Sequence, residues 1–474
     1  MSEYHSLFVL SSHFFAYFEK NMSTGETMSN KRTLLVGTFV LTTTGFLSRL
    51  IGFFFRMFLS HSFGEEQVGL YQLIFPLYAL CFSLSAAGME TAIARSTARK
   101  ISLGKKKEAI QILYIGLGIS LALSFCMLLL MQNYASALSI YILGDIRCEP
   151  MLLAISYAIP FAAVHSCICG YYFGLKQTKI PALSQLVEQL VRVASVYILY
   201  TIACKQESRT SILFAVFGIV IGECCSAFFC VHCFTRKEKK SRFSSMAKNL
   251  PALSKELLAM SIPLTCSRIL LNILQSVESI SIPLRLQQYG LDTSQALSNY
   301  GVLTGMALPC ILFPSALTNS VSTMLLPTVA EIQAGQNTAK LKQVLQRVFY
   351  ACFGLGLTCL LIFVCLGGLI GKLLFHSELA GDYLRTLGWI CPFLYVNSTL
   401  GSITNGLGKA NITFSVNTTA LSIRIIGVLV CIPRIGMNGY LWGLLLSQIL
   451  TCVFYVLYLR NYLTKRRIAK PTLE

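Results

Sequence analysis

Residues 160–175 read PFAAVHSCICGYYFGL, and residues 392–407 read PFLYVNSTLGSITNGL. At this offset of 232 residues, Pro160-Phe161 falls on Pro392-Phe393, Val164 on Val396, Ser166 on Ser398 and Gly174-Leu175 on Gly406-Leu407. Further along, Arg192 falls on Arg424. The match extends in both directions. At an offset of 231, Thr97 meets Thr328 and Gly104 meets Gly335; at 225, Gly218 meets Gly443, Phe229 meets Phe454 and Val231 meets Val456. Small changes of offset are loop insertions, so the chain contains itself twice. Residues 33–235 and 256–460 are the two halves, joined by a basic linker, 236–255.

Composition says what each half is made of. Of 474 residues, 54 % are apolar and 12 % charged, with a mean hydropathy of +0.64. Soluble domains carry about 25 % charge. This excludes an ordinary soluble enzyme, a disordered scaffold and a disulfide-rich secreted domain. Most of the 18 cysteines lie in apolar stretches, Cys126, Cys224, Cys225, Cys310, Cys359, Cys365 and Cys452 among them, where they act as small hydrophobes. Cys230 and Cys233 flank His232 in a CxxC, but no second ligand pair follows, and no metal site is expected there.

A membrane helix needs about 20 mainly apolar residues. Twelve stretches qualify: 33–58, 67–95, 108–132, 151–174, 180–204, 210–235, 256–284, 298–327, 346–371, 383–407, 411–433 and 438–460. The expected fold is an all-α polytopic membrane protein of about twelve transmembrane helices. Six helices per half is an even number, so both halves enter from the same side as parallel repeats around a central cavity. Such repeats are a transporter architecture.

The net charge of +19 is distributed unevenly. With the N-terminus inside, cytoplasmic segments hold 26 Lys and Arg, the outer segments seven, and the spans the remaining six. This bias places both termini in the cytoplasm and accounts for the charge without nucleic acid. The expected boundaries are a cytoplasmic N-terminal segment 1–32, the two lobes, the linker and a basic tail 461–474. Residues 5–18 are apolar but too short to span. They read either as an interfacial helix or as a stretch ahead of a later start at Met22 or Met28.

The spans contain Arg49, Arg56, Arg95, Arg192, Arg268 and Arg424, with Glu90, Glu188, Glu223 and Glu278. Each charge costs about 2.5–3.5 kcal/mol at a helix centre. They must therefore pair, snorkel or face a wet cavity. Glu188 and Arg192 are i,i+4 and suit an internal ion pair. Arg424 has Ala420 at the matching position, lacks that partner and is a cavity candidate. Glu223, whose repeat mate is Gln448, suits either a coupling cation or a helix cap. Arg49 and Arg56 on the first helix and Arg268 on the seventh would flank the cleft between halves. Arginines on both walls suit an anion, a phosphate or diphosphate above all; the alternative is pairing with Glu90 and Glu278. Gly45, Gly52, Gly88, Pro76, Pro160, Pro263, Pro309, Pro314 and Pro392 are expected to interrupt helices. No phosphate-binding loop occurs, and the six histidines, His5, His13, His61, His165, His232 and His376, are expected to be unpaired. Enzyme chemistry is not expected.

Ser48-Arg49-Leu50-Ile51-Gly52-Phe53 with Arg56 resembles the first-helix motif of the multidrug/oligosaccharidyl-lipid/polysaccharide exporter superfamily. Gly69-Leu70-Tyr71-Gln72-Leu73-Ile74-Phe75-Pro76 and Ser85-Ala86-Ala87-Gly88-Met89-Glu90-Thr91-Ala92-Ile93-Ala94 continue it and look like the stage V sporulation protein B branch. The resemblance covers residues 31–463. It implies a two-lobed bundle that works by rocking. It also implies a substrate in the class of undecaprenyl-diphosphate-linked saccharides, such as the peptidoglycan precursor lipid II. Membrane lipid and cell-wall synthesis enzymes are the implied partners, and a coupling cation (Na+ or H+) or the membrane potential the implied drive. In related lipid II flippases, first-helix arginines line the cavity. Arg49 and Arg56 match them at a spacing one residue longer. The second-helix arginine of those flippases has no match at Phe82-Ser83-Leu84-Ser85, and they have fourteen helices. These departures favour a sporulation-type or capsule-type exporter. On this reading Arg49, Arg56 and Arg268, with Arg424, bind substrate, while Glu90, Glu188, Arg192, Glu223 and Glu278 couple or brace. The rivals are a cation-coupled multidrug exporter of the same fold and a non-transporting scaffold for wall synthesis.

Overall fold

A computed structural model describes residues 30–206, 211–237, 250–334 and 338–468. The expectations for residues 1–29, most of the linker and the end of the tail lie outside them. Among the described residues there is no strand. Apolar runs without water to satisfy their backbone must close their hydrogen bonds locally, which a helix does.

The first half begins with α1 (Asn30–Leu73), which contains a non-helical residue, Gly64 (φ 79°, ψ 172°). It continues through α2 (Phe75–Phe82), a wide turn at Ser83–Ala87 and α3 (Gly88–Ser102). Next come α4 (Lys106–Ala137), α5 (Glu149–Ser156), α6 (Ala158–Gly174), α7 (Lys179–Lys205) and α8 (Leu213–Lys237). The second half begins with α9 (Leu250–Tyr289), α10 (Thr293–Gly301), a wide turn at Val302–Ala307, α11 (Leu308–Leu312) and α12 (Ser315–Ala334). It ends with α13 (Thr338–Phe375), α14 (Glu378–Leu387), α15 (Cys391–Gly406), α16 (Ala410–Ile426), α17 (Ile432–Ile435) and α18 (Met437–Ile468).

Among the described residues eight helical runs are long and apolar enough to cross a membrane, and a ninth if α5 and α6, bent by 43°, count as one. The first run, Thr43–Ser102, holds two of the expected spans, with residues 59–66 between them. The expected spans 298–327 and 383–407 are helical but broken. A wide turn at Val302–Ala307 and a break at Phe313-Pro314 divide the first, and a tight turn at Gly388–Ile390, just ahead of Pro392, divides the second. Three expected interruptions do not occur. Gly45 and Gly52 lie inside α1, and Pro263 inside α9, without a break. A single glycine costs a membrane helix little, and one freed carbonyl is readily re-satisfied there.

The halves meet along two seams. α9 packs on α2, α3 and α4, while α10 and its following turn pack on α1. The α1–α10 crossing is close. A Cβ on Gly301 would lie 2.3 Å from the Glu65 carbonyl oxygen, and one on Gly69 would lie 2.1 Å from that of Leu297. Buried apolar residues form three clusters. One, running from Phe55 through Tyr71, Leu152, Leu303 and Leu384 to Leu444, joins both halves. It lies toward the face that carries Glu65, Asp145, Asp292 and His376. Toward the basic face, around Arg99, Lys105 and Lys340, the cores are separate. One, Met89 to Leu257, belongs to the first half with the start of α9; the other, Leu325 to Leu459, belongs to the second half. Among the described residues the halves thus share one core on one face, and on the basic face they meet along α9, where Arg99 and Lys100 pair with Glu256. Large apolar side chains such as Phe125, Leu129, Leu361, Leu369 and Trp442 point outward, as a lipid-facing surface requires.

Candidate substrate cavity

A cavity of about 500 Å³ lies between the halves. α1 supplies Ser48, Arg49, Gly52 and Arg56, at helical spacings that place them on one face. Arg49 and Arg56 are two turns apart. α7 supplies Gln185, Gln189 and Arg192 at the same spacing, and Gln72 on α1 adds a further amide. Gly52 lets the two helices approach: a Cβ there would lie 3.2 Å from the Gln189 amide nitrogen. The second half contributes Pro309, Leu312, Phe313, Ser315 and Asn319. Phe313 packs its ring 5.4 Å from that of Phe53 and 6.0 Å from that of Phe46. The lining thus holds three arginines, four amides and no carboxylate. All the cationic charge comes from the first half, which also supplies Phe53, Phe55, Leu59, Tyr71 and Phe75 to the apolar wall, with Pro309, Leu312 and Phe313 added by the second.

Arg49, Arg56 and Arg192 are brought together, whereas Arg268 and Arg424 are not among the lining residues. Arg268 is exposed on α9 and donates through Nη2 to Thr91 Oγ1 at 3.0 Å. Arg424 has a partner after all. Its Nη2 lies 2.9 Å from Glu278 Oε2, and Tyr440 donates to Glu278 Oε1 at 2.9 Å. The carboxylate missing one turn earlier on its own helix is supplied by α9. Sequence spacing reports only intrahelical partners and could not find this one. Glu188 and Arg192 do pair, and Arg192 faces the cavity as well.

The expectation that no histidine is paired does not hold. His376 Nδ1 and His61 Nε2 are 2.7 Å apart, linking the two halves on the face opposite the basic one. His165 Nδ1 lies 3.5 Å from Glu223 Oε2 and 3.3 Å from Ser226 Oγ, while its Nε2 lies 2.9 Å from Ser184 Oγ. His165, Glu188 and Glu223 bring one ligand atom each within 4.8 Å of the others, as do His165, Cys169 and Cys230. Cys230 therefore faces His165 across helices rather than Cys233 along its own. Glycines on α8 allow this convergence, since a Cβ on Gly222 would lie 2.9 Å from the Glu188 carbonyl oxygen. Glu90 accepts from Ser166 Oγ at 3.1 Å.

The long helices and the arginine-lined cavity between the halves define a multi-span membrane protein with a transporter fold. A lipid II flippase MurJ solved in an inward closed conformation superposes with a TM-score of 0.69 at 15 % identity, over 89 % of this chain and 87 % of that one. An inward-facing multidrug resistance MATE family transporter of the MOP superfamily gives 0.68 at 15 % identity, over 90 % of this chain and 96 % of that one. The chain belongs to the polysaccharide biosynthesis protein family, whose family model matches residues 34–333. Stage V sporulation protein B of Bacillus subtilis is 27 % identical over 434 residues, 90 % of this chain and 83 % of that protein. The lipid II flippase MurJ of the same organism is 20 % identical over 407 residues, 81 % of this chain and 74 % of that protein.

Proposed function

We propose that the protein is a flippase of the bacterial cytoplasmic membrane for an undecaprenyl-diphosphate-linked saccharide, a precursor of cell wall, spore cortex or capsule. The observation that carries this reading is the cavity lining: Arg49, Arg56 and Arg192 with no carboxylate among them. Arginine forks match phosphate oxygens in bidentate geometry. The amides of Gln185, Gln189 and Gln72 suit a glycan's hydroxyl and acetamido groups, and the lipid tail stays outside between the halves. The fold neighbours include multidrug exporters, but a cavity that attracts organic cations needs acidic lining, which this one lacks.

With the basic face cytoplasmic and both termini on that side, the parted cores correspond to an inward-facing state of two six-helix lobes. Rocking of the lobes would then present the cavity to the other side. The drive is the membrane potential acting on the anion, or a proton or sodium ion. The test is flipping of fluorescent lipid II in proteoliposomes, wild type beside Arg49→Ala, with and without an imposed potential. Flipping that Arg49→Ala abolishes in a folded protein supports the reading. Equal flipping by both removes the anion site, and none by folded wild type removes lipid II as the substrate.

A further inference from the structure

Glu188 belongs to two constellations at once. On one side it accepts a hydrogen bond from Arg192 in the cavity wall. On the other it shares a buried cluster with His165 and Glu223. Both flanks are left incomplete. Arg192 Nε is buried without a hydrogen-bond partner, and buried Glu223 Oε2 has His165 Nδ1 no closer than 3.5 Å, although buried polar groups are rarely left so loosely paired. The other ionisable groups facing the cluster are Tyr78 from α2, Glu90 from α3, Cys169 beside His165, and Cys230 beyond it; Tyr71 and Arg56 face Arg192 from α1.

The second half supplies a comparison. At the repeat offsets of 232 and 225, His165 and Glu223 correspond to Asn397 and Gln448. These two also meet: Asn397 Nδ2 donates to Gln448 Oε1 at 2.9 Å. The geometry is kept, but the pair is neutral and cannot titrate. The counterpart of Arg192 is Arg424, which pairs with Glu278 away from the cavity lining. The ionisable version therefore occurs only in the half whose arginines face the cavity.

We propose that Arg192 is a third ligand for the substrate's anion, and that its occupation drives uptake of one proton by the Glu188–His165–Glu223 cluster. This rests on the diphosphate reading of the cavity. In the empty cavity Glu188 neutralises Arg192. A phosphate oxygen that takes the guanidinium leaves Glu188 without its cation, beside a second carboxylate. Two buried carboxylates that close do not both stay charged. One takes a proton from solvent in the cavity, with His165 placed to pass it between them. No covalent bond changes, and the proton departs when the anion leaves and Arg192 returns to Glu188. The loaded carrier thus moves one negative charge fewer than the substrate bears.

The test uses the full chain in detergent with farnesyl diphosphate as probe. Calorimetric titration at pH 7 in buffers of different ionisation enthalpy gives the protons exchanged per ligand bound. Wild type is expected to take up about one proton per diphosphate, as a coupled carboxylate pair requires. Glu188→Gln is expected to bind at least as tightly and take up none. Arg192→Ala is expected to bind about tenfold or more weakly, the scale of a lost charge-assisted contact, with Arg192→Lys recovering part of the affinity. Thermal melting checks that each variant is folded, and Glu223→Gln, which is also expected to suppress uptake, replaces Glu188→Gln if that one is not. Undiminished proton uptake in the carboxylate variants, or wild-type affinity in Arg192→Ala, overturns the proposal. Binding that needs Arg49 yet ignores Arg192 and carries no proton removes this inference alone. No binding by folded wild type removes the diphosphate reading with it.

Discussion

Removing Glu278 should destabilise the protein without touching the cavity. Glu278 is 5 % exposed and makes two contacts at 2.9 Å, with Arg424 Nη2 and with the Tyr440 hydroxyl. Arg424 Nε already has no hydrogen-bond partner. In Glu278→Ala the half-buried guanidinium, its side chain 22 % exposed, therefore loses its counter-charge. Breaking a fully buried pair from one side costs about 3–5 kcal/mol, and the partial exposure of Arg424 puts this loss at or below about 3 kcal/mol. The loss of Tyr440's acceptor is included in that figure, and Tyr440→Phe alone should cost about 1 kcal/mol. Arg424→Ala strands a carboxylate and should cost a similar amount. The double variant Glu278→Ala/Arg424→Ala strands nothing, so its loss should fall short of the sum of the singles by about 1.5–3 kcal/mol. The apolar replacement Glu278→Met/Arg424→Met should lie near wild type. Denaturation by SDS in mixed micelles, followed by circular dichroism, measures these differences, and lipid II flipping is assayed alongside. Additive losses, or an Arg424→Ala protein that melts like wild type yet has lost transport, would show that Arg424 is a ligand and refute the bracing role.

The remaining expectations follow from the same geometry. Arg56→Ala should abolish flipping in a protein that still folds, because the residue shares one helix face and one cavity with Arg49; wild-type rates would place the anion elsewhere. Gly301→Ala puts a Cβ 2.3 Å from the Glu65 carbonyl oxygen, against backbone on both helices, and should cost about 1–3 kcal/mol as overpacking. Gly45→Ala meets nothing within 4 Å and should leave the melting temperature unchanged. Burial and the facing His376 imidazole hold the His61 ring below its usual range. A depressed folded value contributes stability at higher pH that is lost as pH falls. Wild-type melting should therefore drop between about pH 7 and pH 5.5, and His61→Gln should flatten that slope; an unchanged slope would assign it to other groups.

Much of this was legible because membrane helices are read from long-range averages. A run of twenty apolar residues cannot be hidden, and a duplication shows in residues such as Pro160 and Pro392 whether or not they function. Arg49 and Arg56 were legible because their partner surface is their own helix face. What stayed hidden was pairing between helices. Arg424 looked free since Ala420 occupies the only position sequence spacing inspects, while Glu278 arrives from α9. Arg268 is exposed and donates to Thr91 across the two halves, outside the residues that line the cavity. His165 looked idle because its partners Ser184, Glu223 and Ser226 lie on two other helices. The glutamines of α7 did carry a signal. Gln185, Gln189 and Arg192 follow one another at helical spacing, and a search for polar faces, rather than charges alone, would have placed Arg192 in the cavity.

The two seams between the halves are unequal, and that inequality limits how the cavity can change sides. α9 follows α2 and α3 along their whole length. Ser276 donates to the Pro76 carbonyl at 3.2 Å, Arg268 to Thr91 at 3.0 Å, and Lys100 pairs with Glu256 at 3.0 Å. A Cβ on Gly88 midway would lie 1.8 Å from Thr265 Oγ1. Contacts distributed this evenly favour neither end. The α1 seam is one-sided. Ser298 donates to Glu65 at 2.6 Å, Ser60 to the Phe375 carbonyl at 3.3 Å, and His61 meets His376 at 2.7 Å, all toward the face opposite the basic one; Phe53 closes the row against Phe313. Exposing the cavity to that face must break this short row of hydrogen bonds, one of them to a carboxylate, and the Phe53–Phe313 contact. Each hydrogen bond is worth only about 0.5–1.5 kcal/mol net, so the row can part without unfolding either half. The α9 seam has no such weak side, and the halves can pivot about it while it stays packed.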